Sequence, residues 1–217
     1  MDNTGQFPFA FNELERRSSS TELSFYWRGI LLSAYLVFPI LIYLGVIPFS
    51  YRFEALMLVT ALVGIWAIPV LGLRRLGMSR QFFGSSLKYH IPTLLVVGIL
   101  YWLAYWNGWG RYDSQTVDRG FFVFYFLLSG PCQEFLYRGV FFATFASSNR
   151  KGYWSFLIVS AINFSFMHVI YDDIFTLGLT FIMGLIWAYI YWKAPSFWSI
   201  ALAHGIIGAG AILSGLI

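Results

Sequence analysis

Long apolar stretches separated by short polar ones dominate this chain. Seven stretches approach the roughly 20 residues that a helix needs to cross a bilayer. They cover 26–47, 54–73, 88–106, 120–147, 153–170, 173–192 and 196–217. Proline and glycine interrupt several of them, which a buried bilayer helix tolerates when neighbours satisfy the freed backbone groups. Trp102, Tyr105, Trp106 and Trp109 crowd one segment end, as in an interfacial aromatic belt. The connector 74–87 mixes basic and bulky apolar residues and predicts a short amphipathic helix along the interface. The first apolar run is too long for a signal-peptide core and no small-residue cleavage site follows it, so it reads as a retained helix. The expected fold is all-α, a polytopic integral membrane protein with seven or eight transmembrane helices. A polar tail occupies 1–24, three helices and the connector 25–118, and the remaining helices 119–217.

Composition agrees with this pattern. The chain is 59% hydrophobic and only 11% charged, against about a quarter charged in soluble domains. One cysteine excludes an internal disulfide framework. The formal charge of +4 does not indicate nucleic acid, because the basic residues lie between apolar segments and form no patch. They are unevenly shared between the two sides of the bundle. Ten fall on the side of the N-terminus: Arg16, Arg17, Arg28, Arg74, Arg75, Arg80, Lys88, Arg150, Lys151 and Lys193. Three fall opposite, Arg52, Arg111 and Arg119, and the fourteenth, Arg138, lies within a helix. The positive-inside rule then places the N-terminus in the cytoplasm and the C-terminus outside.

An ionisable side chain at bilayer depth costs about 2.5–3.5 kcal/mol on insertion scales and needs a partner or a wet cavity. Glu134 and Arg138 share a helix face at a spacing of four. His168 and His204 lie on two further helices, and Gln133 and Asn163 add neutral hydrogen-bonding groups. Each taken singly has a structural explanation: a self-neutralising pair, or a histidine capping a carbonyl. Two histidines and a carboxylate on three helices instead point to a group that orients water, holds a metal or relays protons. Cys132 reads as a small apolar filler, with a histidine-activated nucleophile as the rival. Asp172 and Asp173 read as caps of the sixth helix. Ala201, Gly205 and Ala209 form a small-residue row suited to close helix packing.

Gln133-Glu134-x-x-x-Arg138 resembles the Glu-Glu-x-x-x-Arg motif of the CPBP family, the CAAX-protease and bacteriocin-processing intramembrane proteases. Phe164-Ser165-Phe166-Met167-His168 resembles that family's Phe-x-x-x-His motif, and the segment from His204 to Gly208 resembles its His-x-x-x-Asn motif. The three occur in the family's order on successive hydrophobic segments. The resemblance implies a helical catalytic core over 119–217 and peptide-bond hydrolysis in a polar cavity. It implies catalytic roles for residue 133, Glu134, Arg138, His168 and His204. Two positions depart from it. Gln133 stands where the family has its first glutamate, and Gly208 where it has asparagine. The amide at 133 marks an inactivating substitution, a divergent site in which Glu134 is the base, or a catalytically dead relative.

The expected mechanism has water held by Glu134 and His168, or by residue 133 when it is glutamate. Arg138 would orient the carboxylate and His204 would stabilise the oxyanion. His168, His204 and Glu134 are also donors that zinc accepts, so zinc-dependent and glutamate-type hydrolysis are both open. The expected partners are the lipid bilayer and a hydrophobic peptide or transmembrane segment, such as a leader, sorting signal or CAAX-like end. The compact chain resembles prokaryotic members, which implies a cytoplasmic membrane. Two other classes compete: a non-catalytic chaperone or immunity protein, and a small proton-coupled transporter using Glu134, His168 and His204.

Overall fold

A computed structural model describes residues 25–112, 117–146 and 150–216. The polar tail over 1–24 lies outside the described residues. Among the described residues the chain is helical, with no strand. We label the helices α1 (Phe25–Tyr43), α2 (Arg52–Leu71), α3 (Phe83–Trp106), α4 (Arg119–Phe145, in five segments), α5 (Arg150–Met167), α6 (Ile174–Lys193) and α7 (Phe197–Leu213).

Among the described residues, four stretches are long and apolar enough to cross a membrane: Phe49–Leu71, Arg80–Trp106, Lys151–Tyr171 and Ile174–Lys193. Arg28–Tyr43 and Phe197–Leu213 are shorter apolar helices. Several helices turn bulky side chains outward. Leu58, Leu62 and Ile65 on α2 and Leu95, Val96 and Ile99 on α3 are all exposed. A water-soluble surface seldom carries so continuous an apolar face, whereas a lipid-facing one requires it.

The expected helix over 26–47 stops at Tyr43, because Gly45 turns the chain with φ +73° and Pro48 follows. The expected separate amphipathic helix over 74–87 does not form: its first residues are a turn, and those from Phe83 on already belong to α3. Gly72 and Gly77 both have positive φ, and only the short 3-10 turn Arg80–Phe82 leads into α3. The physical reason lies in the carbonyls of this turn, which bond to α6 and α7. The Tyr191 hydroxyl donates to the Leu76 carbonyl at 2.7 Å, the Phe197 amide to that of Gly77 at 2.8 Å, and the Trp198 indole to that of Met78 at 2.9 Å. The connector is thus docked on the bundle.

These bonds also define one end of the molecule. Arg75 reaches the Ala143 carbonyl there, so residues 72–78, the end of α4 and the α6–α7 junction lie together. At the opposite end Arg111 pairs with Asp173, and the amides of Arg111 and Tyr112 donate to the Gly215 carbonyl at 2.6 and 3.0 Å. The basic residues Arg74, Arg75 and Lys193 therefore belong to one end, and Arg111 to the other. The core between them is strongly aromatic, with Phe141, Phe156, Tyr191 and Trp192 fully buried.

Helices α5 and α6 approach closely where Gly184 meets Ala161. A Cβ at Gly184 would lie 3.0 Å from the Ala161 Cα, a backbone atom that cannot step aside. Gly184→Leu should therefore force the two helices apart and destabilise the fold by about 1–3 kcal/mol. Thermal unfolding in detergent checks this: a lowered midpoint is expected.

Candidate functional site

The site is organised by α4, which is not a regular helix. Two π-helical segments, Tyr125–Ser129 and Phe135–Val140, flank the short α-helical turn Gly130–Glu134. Pro131 has no amide hydrogen, so the ordinary ladder is interrupted at that point. Just before it the Gly130 amide bonds to the Tyr125 carbonyl, five residues back. Such bulges widen the helix and re-aim side chains, and they recur at functional sites. Gln133 and Glu134 lie about 100° apart on a helix, and here they face different surroundings.

Glu134 points into the protein and is fully buried. Its Oε1 accepts a hydrogen bond from His204 Nδ1 at 2.5 Å. Its Oε2 lies 3.3 Å from Arg138 Nε, one helical turn along, and that guanidinium is fully buried as well. The Arg138 Cζ lies over the Phe164 ring, 4.0 Å from its centroid, and 5.3 Å from that of Trp187. The arginine is thus held by one carboxylate and two aromatic faces. His204 stacks on Trp187 at 4.7 Å between ring centroids, and its Nε2 lies 2.9 Å from the Tyr125 hydroxyl. A chain of polar groups therefore runs Arg138–Glu134–His204–Tyr125, from α4 to α7 and back.

His168 begins the 3-10 turn His168–Tyr171 that ends α5. Its Nδ1 donates to the Phe164 carbonyl at 2.8 Å. This bond fixes the neutral tautomer with the proton on Nδ1, leaving Nε2 as an acceptor. Phe164 is shared, for its ring also lies 5.0 Å from the ring of His168 and 5.8 Å from that of His204.

A cavity of about 690 Å³ lies against these groups, within the range of small-molecule sites. Phe121, Tyr125, Ser129 and Gln133 line it from α4, and Met167, His168 and Tyr171 from the end of α5. Helices α1 and α2 close it with Phe38, Ile42, Arg52, Phe53 and Leu56. It reaches the surface at the end that holds Arg111 and Asp173, where the lining residues Tyr112 and Tyr171 are exposed. The sequence-expected residues therefore fall into two groups. Gln133 and His168 line the cavity, while Glu134, Arg138 and His204 lie behind its wall. Gln133 donates through Nε2 to Ser129 Oγ at 3.2 Å, and its Oε1 has no hydrogen-bond partner in the protein.

Zinc fits this arrangement poorly. Both ring nitrogens of His204 are already engaged, by Glu134 and by Tyr125. Among the described residues no three His, Cys, Asp or Glu side chains are gathered as a metal site requires. Cys132 is partly buried against the core and does not line the cavity. Asp173 caps α6, accepting from the amides of Phe175 and Thr176, as its position suggested. It also takes a bidentate bond from Arg111 at 2.8 and 2.9 Å, and this guanidinium holds its carboxyl well below the usual carboxylate range. Asp172 does not cap: it adopts the left-handed conformation, φ +50°, at the turn between the helices.

Tyr125 and Ser129 were hidden in the sequence among many apolar and small neighbours. The signal that finds them is the series Tyr125, Ser129, Gln133, each four residues from the next, which puts all three on one face of α4. His90 also escaped notice, although it is fully buried in α3.

Residues 116–210 match the family model Rce1-like, described as type II CAAX prenyl endopeptidase. The match spans the three motifs and is consistent with the CPBP resemblance read from them. Together with the apolar helices it indicates an integral membrane protein. No curated protein and no solved structure matches the chain.

Replacing Glu134 by Ala would leave the buried Arg138 cation without its counter-ion and His204 Nδ1 without an acceptor. Breaking a buried pair from one side costs about 3–5 kcal/mol. Glu134→Ala should thus lower the unfolding midpoint strongly, whereas Gln133→Ala at the cavity wall should lower it much less. Differential scanning fluorimetry in detergent compares the two.

Proposed function

We propose that this chain, whose segment 116–210 matches the type II CAAX prenyl endopeptidases, is an intramembrane endopeptidase that hydrolyses a peptide bond within the α4–α5 cavity. One observation carries the reading: His168, whose Nε2 is left as an acceptor, and Gln133, whose buried Oε1 has no hydrogen-bond partner in the protein, both line one cavity. A water molecule there can donate one hydrogen to Gln133 Oε1 and the other to His168 Nε2. His168 is then the general base, set in the correct tautomer by the Phe164 carbonyl. Water adds to the carbonyl carbon as its proton passes to Nε2. The carbon–nitrogen bond breaks in the next step and Nε2 returns that proton to the leaving amine. Glutamine serves in this scheme as a water-positioning acceptor and does not itself take a proton. Glu134 and Arg138 act from behind the wall, through His204. No step is routed through a metal.

The seven helices serve as seven spans in this proposal, with α4–α7 as the catalytic core over 119–217. The substrate is a hydrophobic peptide or the end of a transmembrane segment, such as a leader, a sorting signal or a CAAX-like end. The largely apolar cavity wall suits such a chain. With the N-terminus in the cytoplasm, the Arg111–Asp173 end faces outward, and the cavity opens toward the outer leaflet of a prokaryotic cytoplasmic membrane. A non-catalytic binder or a proton-coupled transporter would use the same helices without requiring a peptide carbonyl beside His168.

Incubating the purified chain with a farnesylated CAAX-type peptide and with its unprenylated counterpart tests the reading. Cleavage is expected, with His168→Ala lowering kcat by about 10²–10⁴-fold. Gln133→Glu should raise turnover by adding a second proton acceptor beside the water. Failure of both the native chain and Gln133→Glu to cut either peptide would point to a binding protein.

Orientation has its own test. In a Cys132→Ala background, single cysteines replace Tyr112 at the cavity end and Lys151 at the start of α5. A membrane-impermeant thiol reagent added to intact cells should label position 112 and spare 151. The opposite pattern would turn the cavity toward the cytoplasm.

A further inference from the structure

The polar chain behind the cavity ends in a group that the hydrolytic scheme has not used. Tyr125 is the member of the linked set Glu134, His204 and Tyr125 that lines the cavity. Its hydroxyl is 2.9 Å from His204 Nε2, and the other nitrogen of that ring is committed to Glu134. The phenol is seated by a gap in α7. A Cβ at Gly208 would overlap the Tyr125 hydroxyl and lie 2.6 Å from its Cε1. Gly208 is one helical turn beyond His204, so the absence of a side chain there allows the hydroxyl to reach the imidazole. Tyr125 also begins the first π-helical segment of α4.

We propose that the Tyr125 hydroxyl is the hydrogen-bond donor that this cavity offers to the carbonyl oxygen of the bond being cut. The inference rests on the hydrolytic reading above and adds a catalytic residue to it. When both nitrogens of His204 carry protons, Nδ1–H donates to Glu134 and Nε2–H donates to the Tyr125 oxygen. The phenolic O–H is then released to point into the cavity. As water adds to the carbonyl carbon, the carbonyl π electrons move to oxygen, and that oxygen accepts the hydrogen bond from Tyr125. When the carbon–nitrogen bond breaks, the carbonyl reforms. Tyr125 loses no proton, since the water proton travels by His168 to the amine. A donor placed in advance, in a site shielded from bulk water, acts most strongly on the charge that develops in the transition state.

The test uses the full chain in detergent with two probes. One is the farnesylated CAAX-type peptide. The other is its phosphonate analogue, whose anionic oxygen stands in for the oxyanion after the prenylated cysteine. Tyr125→Phe keeps the ring and removes the donor. It should lower kcat by about 10²–10³-fold with KM little changed, and weaken phosphonate binding by at least 10-fold while the parent peptide binds as before. Gly208→Ala keeps the hydroxyl but displaces it, and should give the same pattern. This second variant answers for the first if Tyr125→Phe fails to fold by thermal unfolding. Native-like kcat and phosphonate affinity in both variants would overturn the assignment. So would equal weakening of phosphonate and peptide, the pattern of a purely packing role. Were the native chain to bind the phosphonate through Tyr125 yet cut no peptide, the hydrolytic reading would fall and the oxyanion-binding tyrosine would stand. Binding of neither probe to the native chain would overturn both.

Discussion

A carboxylate with no exposure to solvent, Glu134, sets the terms for the rest of this structure. Burying such a charge without partners would cost far more than the fold can supply. Its partners come from two directions, Arg138 one turn along α4 and His204 on α7. Each of these needs support in turn. Arg138 takes it from the faces of Phe164 on α5 and Trp187 on α6. His204 takes it from the Trp187 face and the Tyr125 hydroxyl. One buried charge thereby fixes the mutual placement of four helices. The same set places Phe164 beside His168, so the cavity wall inherits its geometry from the charge cluster behind it.

Much of this was legible in the sequence, for a plain physical reason. Lipid removes the option of leaving a helix partly polar, so spans read as nearly unbroken apolar runs, and each ionisable residue within them stands out. The runs beginning at 54, 120, 153, 173 and 196 each start within a few residues of an observed helix. Glu134, Arg138 and His204 stood out as costly groups, and the structure does bring these three into contact. The pattern could not show that His168 belongs to a different surface from theirs. That depends on the 3-10 turn that ends α5 and on the bond to the Phe164 carbonyl.

Connections were harder to read than spans. The segment 74–87 has the composition of an interfacial helix, but its conformation is set by residues more than a hundred positions away. Tyr191, Phe197 and Trp198 claim its carbonyls, and Gly77 provides the positive φ that presents them. The division of labour within α4 was hidden for a related reason. A regular helix assigns faces by a fixed angle, and two π segments change that angle on both sides of Gln133 and Glu134. Pro131 was the visible mark of the change, but its consequence depended on the hydrogen bonds on either side.

The amide at position 133 is coherent with this electrostatic layout. The interior already holds one carboxylate, and its partners are used up. A second carboxylate one residue away would face the cavity with Ser129 as its hydrogen-bonding neighbour and no cation committed to it. It would have to draw its stabilisation from water entering the cavity or from a protonated His168. Glutamine removes that cost while keeping a carbonyl oxygen at the wall. What is lost is a proton acceptor, and in the proposed hydrolysis the water proton goes instead to His168, a cavity-lining group whose tautomer is fixed by the Phe164 carbonyl. On that proposal position 133 sets how the base strength of the site is shared, while the buried Arg138–Glu134–His204 cluster fixes where the cavity wall stands.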